Sequence, residues 1–172
     1  MTINEIKELL SHEPTAELIA ELAQDKRVAV QKLLQSYHKR IEKAALEKER
    51  FYKMLSYERQ YYGEGAKLIA GVDEAGRGPL AGPLVIAAVI LPEDVFISGL
   101  NDSKQISASK RAKLYDEVLQ KAISVSVNIV SISNIDELNI YRATQVGMSE
   151  VLLSLDVRPD VALIDAMPVE AE

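Results

Sequence analysis

GVDEAGRGPLAGP, residues 71–83, sets two adjacent carboxylates, an arginine, four glycines and two prolines between two apolar runs. Leu68–Val72 and Leu84–Leu91 are continuous, of strand length, and bounded by Gly and Pro. Some eleven residues of turn separate them, so the spacing predicts an antiparallel pair. Asp73 and Glu74 then stand where the first strand gives way to the turn. Two readings fit the pair: a solvated strand-to-turn ending, or acids held where a charged ligand is approached closely. Neighbouring strand residues point to opposite faces, so Asp73 and Glu74 share a site only if the chain ends or bends there.

Downstream, Pro92 closes the second strand and Asn101-Asp102-Ser103-Lys104 forms a polar loop. Ser107 caps a helix carrying Ala112, Leu114, Tyr115, Val118 and Leu119. Ile123–Ile132 alternates Ser124, Ser126, Asn128 and Ser131 with Val125, Val127 and Ile129, a strand with one wet face. Asn134 opens a short helical turn, and a longer helix runs from about Ile140 to Leu155. Val161–Ile164 is a last buried strand, ending on Asp165. The order is β-β-α-β-α-β, an α/β domain in which the crossover lays the last strand parallel to an earlier one. Asp73 and Asp165 both follow apolar strand cores. Parallel neighbouring strands bring them to one carboxyl edge, where open α/β sheets bind ligands. Carboxylates converging there repel unless a divalent cation neutralises them, and such a cation holds phosphate.

Upstream, residues 1–65 read as a helical arm. Thr2-Ile-Asn-Glu5 has the form of a capping box, Pro14 interrupts, and a longer helix reaches toward Tyr57. Gly63 and Gly65 mark a boundary, with the second domain at 66–172. The net charge of −6 hides a pattern. Residues 26–60 carry ten Lys/Arg against four acids, flanked by acidic segments. That band fits either a solvated helix face with i,i+4 pairs or a phosphate-binding surface.

With no cysteine, disulfides, thiolate catalysis and cysteine-ligated metals are excluded. His12 and His38 are the only histidines, so a metal here takes oxygen ligands, as magnesium or manganese does. No apolar run has membrane-span length, and MTINEIKELL lacks the form of a signal peptide. The expectation is a cytoplasmic protein with no membrane partner and no obligate protein partner. Gly76-Arg77-Gly78 is not a dinucleotide fingerprint, because strand rather than helix follows, and no phosphate-loop signature occurs. The two glycines leave backbone bare on either side of Arg77, which suits either contact with a sugar edge and phosphate or a turn needing positive φ.

GVDEAGRGPLAGPLV (71–85), followed by LNDSKQIS (100–107) and LIDAM (163–167), closely resembles the type 2 ribonucleases H, the bacterial ribonuclease HII family. MLSYERQYY (54–62) is similar to the end of the N-terminal extension in Gram-positive members. The resemblance implies a ribonuclease H-like mixed sheet that cuts the RNA strand of RNA/DNA hybrids, including single ribonucleotides in duplex DNA. It implies two divalent cations, Mn2+ or Mg2+, and products with 5′-phosphate and 3′-hydroxyl ends. By motif, Asp73, Glu74 and Asp165 become metal ligands and catalytic residues. Gly76, Arg77 and Gly78 become the segment that recognises the ribose 2′-hydroxyl. Ser103 and Lys104 lie beside the substrate backbone, and a polar loop capping the next helix fits Ser103 as well. The family pattern continues with a Lys-Gly-Asp segment supplying a fourth acid, a substrate-sensing tyrosine and C-terminal helices. The resemblance therefore implies a chain incomplete at its C-terminus. A non-cleaving hybrid-binding fragment and a phosphate-binding α/β protein remain the alternatives.

Overall fold

The computed structural model describes residues 1–78, 82–165 and 167–169. The expectations that touch Pro79–Ala81, Ala166 and Glu170–Glu172 lie outside the described residues. Two compact units divide at Tyr52/Lys53, whereas the sequence boundary sits at Gly63–Gly65. Residues 53–65 thus group with the sheet.

The first unit holds α1 (Ile3–Ser11), α2 (Ala16–Gln24) and most of α3 (Val28–Met54). The capping box forms: Glu5 N–H donates to Thr2 Oγ1 at 3.3 Å, and Thr2 N–H donates to Glu5 Oε2 at 2.7 Å. Thr15 caps α2 by accepting the Leu18 N–H on Oγ1. Ile6, Leu10, Leu22, Val30 and Leu34 form this unit's core. Gln31 of α3 donates to the carbonyls of Leu22 and Asp25, satisfying the open C-terminal end of α2. The long helix stops at Met54 and a short one, α4 (Ser56–Gly63), follows.

The second unit is a four-stranded mixed sheet in the order β3-β2-β1-β4. β1 (Ile69–Ala75) pairs antiparallel with β2 (Leu84–Ile90), which pairs antiparallel with β3 (Ser124–Val130). β4 (Val161–Ile164) runs parallel to β1, as the crossover reading requires. Ser107 caps α5 (Ala108–Lys121), and α6 (Ile132–Leu138) leads through Asn139 into α7 (Ile140–Leu153). Ser131, not Asn134, caps α6. Ala70, Val72, Leu84, Ile86, Ala88 and Ile90 are buried beneath Ala143, Met148, Val151 and Leu152 of α7. Each fully buried Ile or Val there contributes roughly 1.5–3 kcal/mol. Gly147 lets α7 sit close, since a Cβ at that position would lie 2.5 Å from Ile86 Cδ1 and 3.0 Å from Val130 Cγ2.

β3 reverses the expected alternation. Its serines and Asn128 share register with Ile90, Ala88 and Ile86 and so face α7, while Val127 and Ile129 are 56% and 67% exposed. Hydrogen bonds offset the burial of polar groups. Ser124 Oγ accepts from Asp156 N–H at 3.0 Å, and Asn128 Nδ2 donates to Glu150 Oε2 at 2.7 Å. The wet face of this strand is the apolar one. Among the described residues, no helix is long and apolar enough to cross a membrane.

Candidate active site

The site begins with a clamp at the far end of two strands. Asp160 Oδ2 accepts from the backbone N–H groups of Lys67 and Leu68 at 2.8 and 2.9 Å, and Asp160 N–H donates to the Leu68 carbonyl at 2.8 Å. Those bonds, from the Lys67 N–H first, hold the Asp160 carboxyl below its ordinary pKa of 3.8. They also fix the start of β4 against the start of β1. Register then runs Ile69 with Val161, Ala70 with Ala162, Gly71 with Leu163 and Val72 with Ile164. The next residue on each strand path is an acid, Asp73 on β1 and Asp165 just past β4.

Both acids are exposed and lie on the sheet face away from α7. They stand at one end of an open cleft of about 850 Å³. Gly71, Ala87, Val89 and Leu163 contribute its floor, and Met54, Tyr57 and Glu58 its opposite wall.

Glu74 does not join them. β1 continues through Ala75, so the bend that would bring adjacent acids together is absent, and alternation sends Glu74 toward the other face. There its Oε1 lies 3.4 Å from Arg77 Nη1. At that length, with Arg77 38% exposed, the pair is worth less than about 1 kcal/mol. A phosphate can therefore displace the carboxylate from the guanidinium at small cost. Asp73 Oδ1 accepts the Glu74 N–H at 2.8 Å.

The two loop glycines have different reasons to be there. Gly76 has φ +96°, and a Cβ on it would lie 2.6 Å from the Pro83 carbonyl oxygen. Its place is set by the fold. Gly78 has no positive φ, and among the described residues nothing lies within 4 Å of a built Cβ.

Ser103 and Lys104 lie in a 3-10 turn (Ser103–Gln105), capped by Asp102, whose Oδ1 accepts from Lys104 N–H at 2.9 Å. Arg111 of α5 donates to the Ser103 carbonyl at 3.1 Å. Neither residue is among those lining the cleft, and Ser107, not Ser103, caps the helix.

Four residues escaped the sequence reading: Asp160, taken for loop, and Met54, Tyr57 and Glu58, assigned to a helix of the arm. The 54/57/58 spacing is one edge of a helix. That edge was detectable as a pattern, but its destination was not.

Asp73 and Asp165 fit a hard divalent cation, which takes one or two carboxylates and completes its shell with water and phosphate oxygens. Among the described residues no group of three or more His, Asp or Glu side chains is drawn together for a metal. The arrangement offers two converging acids plus one, Glu74, engaged elsewhere.

Family models match both halves of this layout. A model described as the ribonuclease HII N-terminal domain covers residues 2–62, and one described as ribonuclease HII covers residues 70–172. The chain belongs to the ribonuclease HII family. It is 49% identical over its whole length to a ribonuclease HII of Lactobacillus delbrueckii subsp. bulgaricus, and 47% identical over 99% of its length to one of Bacillus anthracis. It spans 67% of each of those ribonuclease HII relatives. Its fold is similar to the crystal structure of the ribonuclease H2 from Pyrococcus horikoshii, with TM-score 0.52 and 32% identity over 60% of this chain. That match takes in 52% of the Pyrococcus chain, so the present chain spans about half of it.

Proposed function

We propose that this chain carries the hybrid-nuclease chemistry of the ribonuclease HII family: metal-dependent cleavage of the RNA strand of RNA/DNA hybrids, including single ribonucleotides in duplex DNA. The observation that supports this best is the register-matched meeting of Asp73 and Asp165 at one rim of the sheet. Divalent cations, Mn2+ or Mg2+, supply the activated water and the charge that neutralises the departing 3′ oxygen. Asp73 and Asp165 would hold them, and Glu74 would complete the set once the end of β1 bends to bring it to the same face. Gly78 lets backbone approach the ribose 2′-hydroxyl, the group that separates RNA from DNA. Ser103 and Lys104 contact the substrate backbone, and the basic band of residues 26–60 adds sequence-independent phosphate binding. Cytoplasmic residence accords with this reading.

A labelled duplex containing one ribonucleotide, incubated with manganese, tests it. Cleavage 5′ of the ribonucleotide, leaving 5′-phosphate and 3′-hydroxyl ends and lost in Asp73→Asn, is the expected result. A second reading, hybrid binding without cleavage, is favoured by one observation: Glu74, the third acid of the motif, is not among the residues lining the cleft. Tight binding with no product in either protein would select it.

A further inference from the structure

The cleft beside the acids has a wall that the nuclease reading leaves without a task. Met54, Tyr57 and Glu58 occupy one edge of the short helix and its approach, within the same compact unit as the sheet. Leu55, Glu58 and Tyr62 line a smaller pocket with Ile69, Gly71, Val89 and Leu91. Tyr57 does not line that pocket. Among the described residues it is 69% exposed and outside both hydrophobic cores.

The chemistry of the cleft limits what can enter. Glu58 on the wall and Asp73 and Asp165 at the end give it a negative lining. Phosphate is disfavoured beside Glu58, and a cation held by Asp73 and Asp165 would receive it. The floor between Tyr57 and Asp73 is apolar and shallow-chained, with Gly71 contributing no side chain at all. A Cβ built on Gly71 meets nothing within 4 Å, so the space is open rather than packed. An uncharged, flat or ring-shaped group fits this floor, and an exposed phenol ring is the partner such a group stacks on.

We infer that Tyr57 is a substrate-contacting residue, packing its ring on the sugar–base face of the nucleotide whose phosphate lies at Asp73 and Asp165. The inference rests on the site proposed above and adds to it a contact from the segment that precedes the sheet. The cleft is continuous with the acids, so one nucleotide reaches both: phosphate at the rim, sugar and base along the floor.

The chain has no tryptophan, which gives a direct probe. In Tyr57→Trp, emission should change on adding a ribonucleotide-containing duplex and saturate with the binding curve. By fluorescence anisotropy with Ca2+, a hard cation that takes oxygen ligands, Tyr57→Ala should bind that duplex roughly ten- to a hundredfold more weakly, the scale of one lost aromatic stack. Tyr57→Phe should stay within about threefold, since the ring carries the contact. Gly71→Ala, which adds a methyl to the floor without a clash, should also weaken binding. Tyr115→Ala, an exposed tyrosine on α5, should not. Circular dichroism melting checks that each variant is folded. Wild-type affinity in Tyr57→Ala, or a silent tryptophan while the duplex saturates, overturns the inference. Tyr57-dependent binding with no cleavage overturns the nuclease reading and leaves this one standing. A wild-type chain that fails to bind the duplex overturns both.

Discussion

Val72 and Ile164 are paired in parallel register, and the residue after each is an aspartate. Asp73 and Asp165, ninety-two positions apart, therefore reach the same rim through backbone geometry alone. A divalent ion bound at that rim would take a carboxylate oxygen from each strand. Asp73→Asn and Asp165→Asn should each lower the cleavage rate by roughly a hundredfold or more, because metal-borne charge stabilisation is worth several kcal/mol. In chelator both variants should melt no lower than wild type. Manganese should raise the melting temperature of wild type more than that of either variant, as ligand linkage requires. A variant that keeps both its activity and its metal response would remove that aspartate from the site.

Asp160 governs the same rim from the other end of the strands. Its carboxylate is held below its ordinary pKa, first by the Lys67 N–H and then by the Leu68 N–H. A depressed folded-state pKa means the stabilisation is fully present above the ordinary aspartate range and is lost as pH falls through the folded value. Asp160→Ala should therefore melt below wild type at neutral pH, and the gap should close as pH drops below about 4. A gap that is constant with pH would mean that the carboxylate charge is not what holds β4 to β1.

Much of this was legible in the chain. Continuous apolar runs gave β1 and β2, Thr2 and Glu5 gave the first cap, and the crossover rule put Asp165 beside Asp73. What misled was local alternation. In β3 the pattern of Ser and Val reads as apolar-in, yet the strand pairs so that Ser124 and Asn128 face α7, where Asp156 and Glu150 satisfy them. Partners thirty-two and twenty-two positions away cannot be read from period-two hydrophobicity. Whether Asp73 and Glu74 converge depends likewise on one more pair of strand residues, and pairing with β2 carries β1 on to Ala75. Helix α4 was visible as helix, but nothing in its own residues says that Tyr57 and Glu58, with Met54 at the end of α3, line a cleft with the strand ends.

The two loop glycines separate fold from recognition. Gly76→Ala should destabilise the chain by roughly 1–3 kcal/mol, the cost of a side chain at φ +96° with a carbonyl in its way. Gly78→Ala should leave the melting temperature unchanged while weakening hybrid binding, because only close approach of a ligand needs that position bare. Equal melting losses in both, with binding intact in the second, would assign Gly78 to the turn rather than to the substrate.

Arg77 cannot hold Glu74 and a phosphate at once. Arg77→Ala should leave stability within about 1 kcal/mol of wild type, as expected for an exposed pair, and should weaken hybrid binding. Undiminished binding in Arg77→Ala would show that the guanidinium takes no substrate phosphate.

The basic band makes a quantitative claim about salt. Lys39 and Lys43 are exposed and one helical turn apart on α3, so they can follow one stretch of phosphate backbone. Each phosphate neutralised releases about one counterion, and log affinity falls with log salt by about 0.9 per contact in duplex DNA. Lys39→Gln with Lys43→Gln should flatten that slope by roughly two and weaken binding equally for hybrids with and without a ribonucleotide junction. The rate of cleavage at saturating substrate should stay as it is, since these lysines belong to the unit that precedes the sheet. A slope identical to wild type would return the band to a solvated helix face, leaving the acidic sheet unit alone to bind its polyanion through metal, Arg77 and the loop.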